Sequence, residues 1–230
     1  MKTMNTGVAD DSHLRRNDDE SAQTPPAYDK LDTTNELFSS VKYGMIHVVV
    51  DILKNHQDLA NEIDVQGNTC MHWAARKGDR EMLQILTNAG AAVDQPNVTE
   101  SKMMPIHWAA SDGKIASLRF LLERRVDINA QDANGCTPLV IAVQHNQLDC
   151  VVYLIKNGAD TTLRDENGDS ALHWAAYKGY VEMVGLLTFL IPHEIDTDDA
   201  FGQVVQTKSQ RNISQFELTQ PYFLCITLSQ

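Results

Sequence analysis

The chain has 230 residues, of which 43% are apolar and 22% charged, and a formal net charge of −12 at neutral pH. That length allows one domain or two small ones with a sizeable core, in the ordinary range for globular proteins. No basic excess is present to neutralise a phosphate backbone, so nucleic-acid binding is not expected, and no run of 18 apolar residues exists to span a bilayer.

The first twenty residues lack the apolar run of a signal peptide. Cys70, Cys136, Cys150 and Cys225 are widely spaced with no CxxC pair, which fits free thiols in a reducing compartment. An intracellular, cytoplasmic monomer is expected. Membrane association would follow only if the full gene product carried transmembrane helices downstream.

Residues 1–34 hold seven acidic and four basic side chains, Pro25-Pro26 and few apolar residues. Such a segment buries too little surface to offset its ordering entropy, so a disordered acidic tail is expected. From residue 35 the pattern changes. Leu37–Gly44 followed by Val48–Leu53 reads as an earlier copy of the repeat that follows, without its D-x-x-G entry.

A repeat follows. The tetrad His-Trp-Ala-Ala occurs at His72–Ala75, His107–Ala110 and His173–Ala176, and Val140–Val143 fills the same slot in a further copy. The steps between the first residues are 35, 33 and 33. A D-x-x-G turn leads into three of the four copies, at Asp64–Gly67, Asp132–Gly135 and Asp165–Gly168, followed by Thr69, Thr137 or Ser170. Those hydroxyl residues suit helix N-caps, and Pro105 and Pro138 suit the first helical position, where no hydrogen-bond donor is lost. A second helix with an aliphatic stripe follows, as in Met82, Leu83, Ile85 and Leu86, or Val151, Val152, Leu154 and Ile155. Gly90 and Gly158 then stand where a left-handed residue ends the helix. Each unit is predicted to be helix, turn, helix, hairpin.

These residues resemble ankyrin repeats through one whole copy from Gly168 to Leu187, and the resemblance covers residues 35–203. The fold it implies is an all-α solenoid of an N-terminal cap plus four full repeats. In residues 204–230 no further unit follows: Val204-Val205-Gln206-Thr207 replaces the expected helix start. Gln203-Val204 is what translation through a splice donor would give, so an intron-derived, non-repeat tail is the preferred expectation for this stretch.

Little points to catalysis. The sequence has no GxGxxG, GxxxxGK[ST] or GxSxG motif. His72, His107 and His173 share one repeat position, which sets them roughly 10 Å or more apart by helix-packing distances, too far for one metal. No catalytic residue, cofactor or metal is therefore expected. In the family this His bonds to nearby backbone and pins the hairpin.

What remains is surface. Ankyrin arrays bind partners along the concave face of first helices and hairpin tips, so the resemblance implies a protein or extended peptide as partner. Trp73, Trp108 and Trp174 stand where the family usually has Leu, and a Trp offers roughly 150–250 Å² of buriable surface of the kind enriched at hot spots. Trp108 is the preferred candidate, because an irregular loop, Asp94–Met103, leads into its unit without the D-x-x-G turn and two residues longer than the period. Residues 35–203 hold 23 acidic against 13 basic side chains, which favours a basic or neutral partner.

A narrower resemblance rests on the cap Phe38–Gly44, the repeated His-Trp-Ala-Ala, the long lead-in before Pro105-Ile-His-Trp, and Asp165–Leu187 followed by Asp198–Gln203. These are similar to the N-terminal ankyrin domain of Asp-His-His-Cys protein S-acyltransferases (palmitoyltransferases). In that family the ankyrin domain recruits substrate proteins, and a Trp matching Trp108 contributes to the groove. The Asp-His-His-Cys tetrad is absent from this sequence, so the chain as it stands is expected not to be an enzyme. The alternative is a stand-alone ankyrin adaptor with no link to acyl transfer.

Overall fold

A computed structural model describes residues 30–191. Among them the regular structure is helical. The cap is α1 (Lys30–Tyr43) and α2 (Ile46–Asn55), followed by a 3₁₀ turn over Gln57–Asn61. Four helix pairs follow: α3 (Cys70–Lys77) with α4 (Arg80–Asn88), α5 (Pro105–Ser111) with α6 (Ile115–Glu123), α7 (Pro138–Gln144) with α8 (Leu148–Lys156), and α9 (Ala171–Lys178) with α10 (Val181–Leu190). The all-α array of a cap and four units is as the repeat predicts. The first helix starts at Lys30, five residues inside the segment expected to be a tail. The rest of that segment and the 204–230 stretch lie outside the described residues.

The elements follow from the repeat chemistry. Thr137 caps α7 by accepting the Val140 N–H, and Pro105 and Pro138 open their helices. First helices run only seven or eight residues and stack side by side, α3 on α5, α5 on α7 and α7 on α9. The paired alanines (Ala74-Ala75, Ala109-Ala110, Ala175-Ala176) are all buried there, where a larger side chain would force the helices apart. Second helices form the outer layer through one apolar face each: Met82, Leu83 and Leu86, then Leu118, Phe120 and Leu121, then Cys150, Val151 and Leu154. In α10 only Met183 and Leu187 are fully buried, and Phe189 is 82% exposed.

Each D-x-x-G turn is closed by its own aspartate. Asp64 Oδ1 accepts the N–H groups of Gln66 and Asn68, Asp132 Oδ1 those of Asn134 and Cys136, and Asp165 Oδ1 those of Asn167 and Asp169. Successive hairpins are then joined by one backbone bond, Val98 N–H to Gly67, Ala133 N–H to Ser101 and Glu166 N–H to Asn134. Gly135 sits at this junction with φ +74°, and a Cβ there would lie 3.1 Å from Asp165 Cα and Glu166 N, both backbone atoms. Gly135→Ala is therefore expected to cost about 1–2 kcal/mol from the left-handed backbone alone, with the close approach adding to it. A urea midpoint equal to that of the parent protein would refute this.

Candidate partner-binding face

The side chains of interest stand on the first helices, and the histidines set the frame that holds them. His72 Nδ1 accepts the backbone N–H of Thr69 at 3.2 Å, which leaves the proton on Nε2, and Nε2–H donates to the Met103 carbonyl at 2.9 Å. His107 does the same, with Nδ1 accepting from Met104 N–H and Nε2 donating to Ala130 O at 3.0 Å. His173 Nδ1 faces Ser170 N–H and Oγ. Each of the first two rings thus closes its own helix start and reaches into the next unit's lead-in loop. Burial holds both rings neutral, taking His72 down to about 4, while the bond to Met103 pulls the other way. These are structural groups. Among the described residues no set of three His, Cys, Asp or Glu is arranged to hold a metal. Cys70, Cys136 and Cys150 are buried free thiols. Burial raises all three, Cys136 to about 12 and Cys150 to about 11, so they are poor nucleophiles at neutral pH.

The three tryptophans are half-buried, yet they differ. Trp73 Nε1–H donates to Asp64 Oδ2 at 2.9 Å, and Trp174 Nε1–H donates to Asp165 Oδ2 at 2.8 Å. In both units the hairpin aspartate spends one oxygen on the turn and the other on the indole. Burial alone would raise the Asp64 carboxyl, but the Asn68, Trp73 and Gln66 bonds and the Lys42 charge hold it below its ordinary value.

Trp108 makes no such bond. The backbone pairing shows why: Asn97 N–H bonds Met103 O, as Asp64 N–H bonds Asn68 O and Asp132 N–H bonds Cys136 O. Asn97 therefore occupies the aspartate's place, with two extra residues in the turn. Its amide is committed elsewhere, Nδ2 to Asn68 Oδ1 at 3.1 Å and Oδ1 to Thr99 Oγ1 at 2.8 Å. The indole N–H of this unit has no hydrogen-bond partner among the described residues.

Around Trp108 the neighbours form a compact group. Its ring lies edge-on to Trp73 (centroids 5.2 Å) and to His72 (5.4 Å). The Arg76 guanidinium lies 5.5 Å from the Trp108 ring centre and 5.8 Å from that of Trp73, and its Nε donates to Asp112 Oδ2 at 2.9 Å. Lys42 Nζ stands 4.0 Å over Trp73. Trp73 and Trp108 are thus brought together, whereas Trp174 pairs with Tyr177 at 5.8 Å two units away. Sequence reasoning missed Arg76 and Asp112. The signal was available, because Arg76 is one helical step of three from Trp73, and the 36-residue separation from Asp112 is close to one repeat period.

Stacked helix–turn–helix units, each closed by a hairpin aspartate or its stand-in, define a helical repeat solenoid with its tryptophans on the first helices. The family profile described as "Ankyrin repeats (many copies)" matches residues 37–87, 106–155 and 139–188, more than half of the chain. The protein belongs to the ankyrin-repeat family. It is 28% identical over 178 residues to palmitoyltransferase AKR1 of Lachancea kluyveri, covering 73% of this chain and 24% of that protein. It is 30% identical over 147 residues to the human transient receptor potential cation channel subfamily A member 1, covering 63% of this chain and 13% of the channel. To human neurogenic locus notch homolog protein 2 it is 32% identical over 143 residues, covering 61% of this chain and 6% of that protein. The chain thus spans about a quarter or less of the length of these relatives. Among the described residues no helix is long and apolar enough to cross a membrane.

Proposed function

We propose that this array is a protein-docking module that holds an extended segment of a partner along its first-helix face, with Trp108 as the main anchor. Trp73 forms the wall beside it, and Trp174 offers a further contact two units on. The observation that carries the reading is the indole N–H of Trp108, which has no partner among the described residues, set against two sibling indoles that are tied down inside their own units. A half-buried aromatic with a free donor has most to gain from a partner. Recruitment for acyl transfer is the finer reading. It is supported by the alignment to the palmitoyltransferase, the widest on this chain of the three above.

Short random peptides displayed as a library and selected on the full chain supply the test. Trp108→Ala is expected to weaken the selected peptides by about 2 kcal/mol or more, with helix content by circular dichroism unchanged. Equal affinity of both proteins in calorimetry would remove Trp108 from the site.

A further inference from the structure

We infer that the partner segment presents an acidic side chain to this site, its carboxylate accepting from Trp108 Nε1–H and from the Arg76 guanidinium. The inference deepens the docking reading and rests on it.

Internal comparison carries the argument. Where this family unit is regular, the indole N–H is met by a carboxylate oxygen, Asp64 in one unit and Asp165 in another. In the Trp108 unit the residue at that place is Asn97, whose amide is engaged by Asn68 and Thr99. The chain thus repeats the donor and omits the carboxylate.

The surroundings add a second donor group. Arg76 uses Nε on Asp112, and neither terminal nitrogen is bonded to any described residue. In the sibling unit a cation lies over the Trp73 ring, Lys42 Nζ at 4.0 Å, and that cation and the indole N–H both meet Asp64 Oδ2. The Arg76 guanidinium, 5.5 Å from the Trp108 ring centre, stands over Trp108 in the same way, so by that precedent a cation and an indole N–H together suit a carboxylate. The only nearby carboxylate among these contacts, Asp112, is already held by Arg76. A neutral carbonyl would satisfy the indole but leave the guanidinium unmatched, so the acidic side chain is the better complement. The net negative charge of the whole array does not oppose this, because a single contact is decided by the donors within hydrogen-bond reach while the distant charges are screened.

The test uses the peptides selected on the full chain. Those that lose affinity on Trp108→Ala are expected to share one Asp or Glu. Changing it to Asn or Gln should weaken binding roughly tenfold or more, as for a charge-assisted bond. On an Arg76→Gln background the same change should cost much less, which a merely structural role for Arg76 would not produce. Trp108-dependent peptides with no acidic residue, or with no loss on Asp→Asn, overturn the inference and leave the docking reading standing. Peptides indifferent to Trp108→Ala overturn both. The indole N–H resonance of Trp108 in the free chain, assigned with Trp108→Phe, is expected upfield of those of Trp73 and Trp174. If it already shows an acceptor bond, the place is filled from within the chain or by a second copy, and an external carboxylate is ruled out.

Discussion

Between about pH 6.5 and pH 4 the array is expected to lose about 3 kcal/mol of stability through His72 alone. The folded ring is kept neutral, chiefly by burial, and protonates only near 4, whereas in the unfolded chain it protonates near the ordinary value of 6.5. In that window the unfolded state binds the extra proton, so stability rises with pH. The contribution is fully present above about 6.5 and is lost as the pH falls towards 4, below which the folded ring is charged as well. Geometry gives the same answer. Nδ1 must stay bare to accept the Thr69 N–H, so a second proton breaks that bond inside an apolar stack. His107 is shifted in the same direction and adds to the loss. Asp64, lowered instead, loses its contribution only below its ordinary value of 3.8, so the histidines govern the range above pH 4.5. Urea unfolding at pH 7, 5.5 and 4.5, followed by circular dichroism, reads this out. A midpoint that stays level across the three would contradict it.

His107→Leu is expected to cost about 3 kcal/mol at pH 7. Leucine fills a similar volume, so little of the loss comes from a cavity. It comes from two groups left without partners, the Met104 N–H at the start of α5 and the Ala130 carbonyl in the following loop. A polar group stranded in this way costs about 1–3 kcal/mol. The variant should also have a shallower acid slope than the parent, since one of the titrating rings is gone. A loss below about 1 kcal/mol with an unchanged slope would mean that the ring serves only as filler.

Much of the fold was legible because the repeat forces the same local solution several times. Asp64, Asp132 and Asp165 brace their turns alike, and Pro105 and Pro138 open helices as their missing N–H allows. The start of α1 was not legible. Lys30–Thr34 is polar apart from an exposed Leu31 and precedes the apolar positions that bury the helix, Leu37, Phe38 and Val41. Helix periodicity registers buried faces and is silent where none exists. At the candidate site the longer loop before Trp108 could be read as a departure from the period. What it does could not be read, because Asn97 takes the aspartate's place only by backbone pairing, from two residues further back than the spacing suggests. Arg76 and Asp112 are ordinary surface residues until the stacking of α3 on α5 brings them to 2.9 Å.

The histidine bonds have a directional consequence. His72 needs the carbonyl of Met103 and His107 that of Ala130, and each carbonyl is in position only when the following loop is folded. One unit is therefore completed by its successor, and a nearest-neighbour relay of this kind transmits order along a linear array. Val140 holds the same slot in α7 and has no ring to extend. Across that seam the polar ties run between loops and helix ends, from Glu166 N–H to Asn134, Gln131 to Arg164, Asp160 N–H to Asn129 and the Tyr180 hydroxyl to Gln144, with no side chain reaching from the α7 slot itself. The relay skips there. Loss of α9 and α10 is therefore expected to strip no histidine bond from the units before them, whereas loss of the loop ahead of α7 would take the Ala130 carbonyl from His107, so the pair that carries Trp73 and Trp108 stands one unlatched seam away from that end.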